Sequence, residues 1–136
     1  MMRHFSCGSR PTRTPPAEWF TGSVSLDPII ESEPPARVNA AAVHFSPGAR
    51  TNWHTHPLGQ TLHVVSGSGL AQSWGEPAVR LNAGDTLWIP PGEKHWHGAA
   101  AETRVTHIAI QEALNGSAVD WLEPVSDEDY GKAQTG

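Results

Sequence analysis

The stretch Gly48-Ala-Arg-Thr-Asn-Trp-His54-Thr-His56-Pro-Leu-Gly-Gln60 decides how the rest of the chain is read. On an extended strand, side chains two apart face the same side, so His54 and His56 point together. Pro57-Leu58-Gly59 then turns the chain, and Gln60 opens a neighbouring strand from which its amide oxygen can return to the same point. Further on, the corner Pro90-Pro91-Gly92 throws His95 onto a strand adjacent to the first pair. A single histidine in a strand is ordinarily a satisfied polar residue, and a pair two apart is as often solvent-facing as ligating. His-x-His followed by an amide four residues later, and then by Pro-x-Gly-x-x-His, is a donor set. Three imidazoles and one oxygen make part of an octahedron around a divalent metal, leaving positions for water, substrate or dioxygen.

The flanking sequence has a period of two. Arg37 to Phe45 reads as a strand closed by Ser46-Pro47-Gly48, and Gln60 to Val65 as another ended by Gly67-Ser68-Gly69. Thr21-Gly22 breaks the first extended run and Asp27-Pro28 ends the next. Leu70 to Trp74 and Ala78 to Leu81 form a hairpin around Gly75-Glu76-Pro77. Thr86 to Ile89 is a short buried strand. In Thr103 to Ile110, Val105, His107 and Ala109 share one face, and Thr106, Ile108 and Ile110 the other. Strands at this spacing predict an all-β sandwich or barrel. Only the tail departs: Ser126-Asp127-Glu128-Asp129 is an N-cap with an acidic first turn, predicting one short helix near 127–132.

Composition narrows the partners. At 136 residues the chain is one domain, long enough to bury roughly two-thirds of its unfolded surface. Nine Lys and Arg against 14 Asp and Glu leave a net charge of −5, which argues against nucleic acid and anionic membrane surfaces. No apolar run approaches the ~18 residues of a membrane span. The lone cysteine, Cys7, excludes an internal disulfide and a thiolate zinc or iron–sulfur site, and a cytoplasmic protein is the simplest reading. Residues 1–17 lack the ~7–15-residue apolar run of a secretory signal. They are expected to be a flexible leader, with 18–130 the domain and 131–136 a tail.

The two histidine segments resemble the two motifs of the cupin superfamily. Gly48-x5-His54-x-His56-x3-Gln60-x6-Gly67 matches the first, with Gln60 where most members carry Glu; Gly84-x5-Pro90-x-Gly92-x2-His95 matches the second, with Ala99 where the usual Asn stands. The resemblance implies a single-domain jelly-roll barrel with His54, His56, Gln60 and His95 on a divalent metal, and a homo-oligomer, dimer or tetramer. Over about Trp19 to Tyr130, Trp19-Phe-Thr-Gly22, Pro47-Gly-Ala-Arg-Thr51, Pro91-Gly-Glu-Lys-His-Trp-His-Gly98, Thr106-His107 and Ala118-Val-Asp-Trp121 are similar to the bacterial manganese-dependent hydroxynitrile lyase cupins. That narrower likeness implies reversible cleavage of a cyanohydrin to an aldehyde and hydrogen cyanide, with Mn(II) as the metal. The donor types also accept Fe(II), Co(II), Ni(II) or Zn(II).

The amide donor is chemically informative. Three neutral imidazoles and a neutral amide leave the full +2 charge on the metal, which favours holding an alkoxide over activating oxygen. A base must still take the hydroxyl proton. His107 is the first candidate, on the face of its strand expected to line the cavity; His97, two residues after His95, is the second. Gln111 with His107 is positioned to orient a nitrile. His44 and His63 read as surface or packing residues, and His4 lies in the leader. Trp53, Trp88 and Trp96 flank the motifs, and at least two of the three are expected to be core or contact residues. The alternatives are a metal-dependent dioxygenase and a non-catalytic barrel that binds metal or a small molecule.

Overall fold

The computed structural model describes residues Met1–Thr135. A 3-10 turn at Ala17–Trp19 leads into β1 (Phe20–Thr21), β2 (Val24–Glu31), β3 (Val38–Phe45), β4 (Arg50–Thr51) and β5 (His54–Thr55). There follow β6 (Gln60–Ser73), β7 (Val79–Asn82), β8 (Thr86–Ile89), β9 (His95–Ala99), β10 (Val105–Glu112), β11 (Asp120–Trp121) and helix α1 (Asp127–Thr135). All named pairings are antiparallel, in the order β1-β4-β9-β6-β10-β3-β2. Strand β6 belongs to both halves of the curl: Gln60 to His63 pair with β8, and Gly69 to Ser73 with β9. The expected all-β barrel with a C-terminal helix is what forms.

Alternation builds the core. Leu62 and Val64 of β6 face inward with Val105 and Ala109 of β10, joined by Phe45, Leu81 and Ile89. Burying each of the larger members contributes about 1.5–3 kcal/mol. A second cluster lies against the helix, where Trp53, Leu70 and Trp96 pack with Val125, Tyr130 and Ala133. The backbone N–H of Asp129 donates to Ser126 Oγ at 3.1 Å, the expected N-cap. Arg50 ties this helix to the barrel. Its Nη2 donates to the Val125 carbonyl and to Asp127 Oδ1, both at 2.8 Å, and its guanidinium lies 4.3 Å over the Tyr130 ring.

Four local expectations change. The Gly67-Ser68-Gly69 segment does not end a strand; β6 runs 14 residues straight through it. Glycine is there for close approach: a Cβ at Gly67 would stand 2.0 Å from the Arg104 carbonyl oxygen, at a φ of +80°. Asp27-Pro28 does not end its strand either. Among the named strands of the described residues β2 pairs only with β3, and at this edge, beyond the Arg13 bridge to Leu26, a bulge between Pro28 and Ile30 tolerates the missing N–H. The hairpin after β6 returns at Val79 rather than Ala78. Helix α1 continues to Thr135 because Ala133, one turn after Tyr130, keeps its apolar face buried. Upstream, Arg13 forms a bridge with Leu26 and an ion pair with Glu31.

Candidate metal centre and cavity

Short strands bring the donors together. Strand β5 is only two residues long, yet His54 pairs across it with His95 on β9 and with Trp121 on β11. The turn after His56 needs Gly59 at φ +81°, where a Cβ would come within 2.8 Å of the Ile89 carbonyl oxygen. That turn and the Gly92 corner meet, since the backbone N–H of Gly92 donates to the His56 carbonyl at 3.0 Å. Gln60 therefore starts β6 beside the imidazoles rather than far from them.

Three imidazoles are anchored alike. Nδ1 of His54 donates to the Asn52 carbonyl at 2.8 Å, that of His56 to Ala118 at 2.7 Å, and that of His95 to Glu93 at 2.9 Å. A carbonyl only accepts, so in each ring the proton sits on Nδ1 and the lone pair on Nε2. The ring centroids are 4.2 Å apart for His54 and His95, 4.9 Å for His54 and His56, and 5.4 Å for His56 and His95. In this cluster, His56 Nε2, His95 Nε2, His97 Nε2 and Gln60 Oε1 are buried and without a hydrogen-bond partner among the described residues. Buried polar atoms are rarely left so, and several in one cluster are suited to ligating a cation. His54, His56 and His95 thus lie ring beside ring, with Gln60 next to His56.

His97 is also close: its ring nitrogen, with those of His54 and His95, falls in a group within 4.8 Å of one another. It differs in anchorage, since its Nδ1 faces Nε2 of His107 at 3.0 Å. Desolvation pushes His54 and His97 well below the ordinary imidazole range, reinforced by the neighbouring imidazoles. Burial brings His95 and His107 to about 4 and lowers His56, against the pull of the Ala118 carbonyl. All five rings are therefore neutral at pH 7, the state in which imidazole ligates.

A cavity of about 190 Å³ opens onto this cluster. His54, His56, Gln60, His97 and Gln111 line its polar end; His107 does not line it and lies behind His97. Both polar ends of Gln111 are already engaged, with Gln60 and with the Asn39 carbonyl. The rest of the lining is mostly apolar, with Phe20, Phe45, Trp121 and Val43; the Trp121 ring lies against His54, centroids 4.7 Å apart. Trp53 and Trp96 pack in the helix-side core, and Trp88 is 58% exposed. The aromatic wall was missed in the sequence because Phe20 and Trp121 sit on two-residue strands that carry no readable period. Trp121 is held by stacking on Trp19, centroids 5.3 Å apart and planes 9° off parallel. Its strand returns to the site through the tight turn Leu114-Asn115-Gly116-Ser117, whose central residues both have positive φ, as a two-residue hairpin of this hand requires.

Comparison with known proteins places this geometry. The Cupin domain family matches residues 41–110, the span from β3 to β10. An (R)-mandelonitrile lyase from Granulicella tundricola is 56% identical over 123 residues, covering 90% of this chain and 94% of that one. The crystal structure of a cupin-like protein from Thermotoga maritima superposes with a TM-score of 0.86 at 40% identity, over 90% of this chain and 93% of the other. A KdgF protein from a Halomonas species shares the fold alone, with a TM-score of 0.64 at 19% identity over 94% and 98% of the two chains.

Proposed function

Since the chain belongs to the cupin family, we propose that it is a lyase that cleaves cyanohydrins, with Mn(II) held by His54, His56, His95 and Gln60. Support for the metal comes from the buried, unpartnered Nε2 atoms of His56 and His95 and the Oε1 of Gln60. A divalent metal held there supplies Lewis acidity, stabilising negative charge that develops on a substrate oxygen. The reaction is supported by one observation above all: this cluster opens on an aromatic-walled cavity in a chain 56% identical to a mandelonitrile lyase.

The chain's own residues have definable tasks. The cavity lies below the roughly 300–1,000 Å³ of drug-sized pockets, which restricts it to small substrates. Phe20, Phe45 and Trp121 hold the apolar end of the substrate and exclude water, so the hydroxyl and nitrile meet the polar end. His97 Nε2 is the base. In the tautomer where His97 Nδ1 donates to His107 Nε2, the lone pair sits on the buried, unpartnered Nε2 of this cavity-lining residue and takes the hydroxyl proton. The carbon–carbon bond breaks with its electron pair leaving on cyanide, the carbonyl forms, and His97 returns the proton to give hydrogen cyanide. His107 positions His97 and does not touch substrate.

The test is metal content of the purified protein by element analysis, followed by racemic mandelonitrile with and without chelator. Benzaldehyde release that chelation removes and Mn(II) restores is the expected result. A metal-loaded protein that releases no benzaldehyde overturns the proposal, and oxygen uptake in its place would establish the dioxygenase alternative.

A further inference from the structure

We infer that Gln111 is a positioning residue: its side-chain amide fixes which end of the Gln60 amide faces the imidazole cluster. The inference rests on the reading of Gln60 as a metal donor and deepens it. A glutamine amide turned by 180° keeps its shape but exchanges an electron-rich oxygen for an NH2 group. Only one of the two orientations offers a lone pair to a cation. The residue type at position 60 does not choose between them. A carboxylate would not face the choice, because its two oxygens are alike.

The choice is made by a row of three cross-strand neighbours. Gln111 on β10 stands opposite Gln60 on β6 and opposite Asn39 on β3. The row begins at a group of fixed polarity, the backbone carbonyl of Asn39, which only accepts. Gln111 Nε2 donates to it at 3.2 Å, so Gln111 Oε1 points the other way. There it accepts from Gln60 Nε2 at 3.0 Å. Gln60 Oε1 is thereby left on the side of His56, where it is buried with no partner. Polarity is passed from backbone to amide to amide, and each step admits one orientation.

The experiment measures binding of Mn(II), and separately Zn(II), to the full-length protein by chelator competition, in a double-mutant cycle. Gln111→Leu removes the acceptor and frees Gln60 to turn. Partners that orient metal ligands are worth about 10–100-fold in affinity, so a loss of that size is expected. In a Gln60→Glu background the same Gln111→Leu change should cost less than about threefold, because there is no orientation left to choose. In metal-free wild type, the Gln60 side-chain NH2 should give a distinct hydrogen-bonded signal in the 1H–15N spectrum. Gln111→Leu should move that signal while the backbone amide pattern is kept. Gln111→Met replaces the leucine variant if the latter does not fold.

An affinity unchanged by Gln111→Leu overturns the inference, as does an equal loss in both backgrounds, which would mean a packing effect. A wild-type protein that binds neither ion overturns instead the reading of Gln60 as a donor, and the inference with it.

Discussion

The inner and outer faces of one sheet treat histidine in opposite ways. On the outer face, His44 reaches Asp27 and Thr106, both at 2.9 Å, and His63 reaches Thr86 at 2.9 Å, all side-chain partners open to water. On the inner face, His54, His56 and His95 each spend Nδ1 on a backbone carbonyl, while Nε2 of His56 and of His95 is left with no partner. Neighbouring positions of the same strands supply both kinds: His107 is inward and Thr106 outward on β10, Leu62 inward and His63 outward on β6. On β6 and β10, strand parity decides which side chains are buried and which reach the surface. An inward imidazole with a bare nitrogen opposes folding unless something occupies the space in front of it.

The comparison breaks most visibly at His95. His95→Ala removes an inner donor, and metal affinity should fall by more than the ~100-fold upper range of an outer orienting partner, measured by element analysis after dialysis. Retained metal would mean that the inward cluster is not the binding site.

Acid should sharpen it next. Above about 6.5 folded and unfolded chains both hold these rings neutral, and stability does not depend on them. As pH falls from 6.5 toward 4, the unfolded chain takes up protons that buried His95 and His107 refuse, so the metal-free protein loses stability. The loss is of the order of 3 kcal/mol for each ring and levels off below about 4. Urea midpoints taken between pH 7 and 4 check this; a flat profile would contradict the burial of these two rings.

A smaller effect is expected at the cavity wall. Trp121→Leu should raise KM for mandelonitrile about tenfold relative to a small aliphatic cyanohydrin, the scale of one apolar pocket contact. Equal changes for both substrates would assign Trp121 to support of the fold. The least effect belongs outside: His63→Ala should leave stability within about 0.5 kcal/mol of wild type and metal content unaltered. A larger change would mean that the outer face is not solvent-like.

The barrel was readable because alternation and turn residues agree along most of the chain, and the helix because Ser126 and three acidic residues announce its start. The convergence of His54, His56, Gln60 and His95 was readable from parity plus two glycine corners. Other features depend on partners remote in sequence. The β6 run through Gly67 follows from the Arg104 carbonyl pressing on it, and Pro28 is tolerated because β2 is an edge. Neither neighbour is local. Phe20 and Trp121 were hidden for the same reason: about 100 residues of chain separate them, and their rings meet, centroids 5.5 Å apart, only after the barrel closes.

The hairpin at Asn115-Gly116 returns a short stretch of chain that does two jobs at once. Ala118 lends its carbonyl to His56, and three residues later Trp121 bounds the aromatic wall. Redesigning that stretch to admit a bulkier guest would therefore disturb the anchorage of His56 at the same stroke. Selectivity is better retuned from β3, where Ala41 and Val43 border the same space with no hydrogen bond to the imidazoles of the cluster.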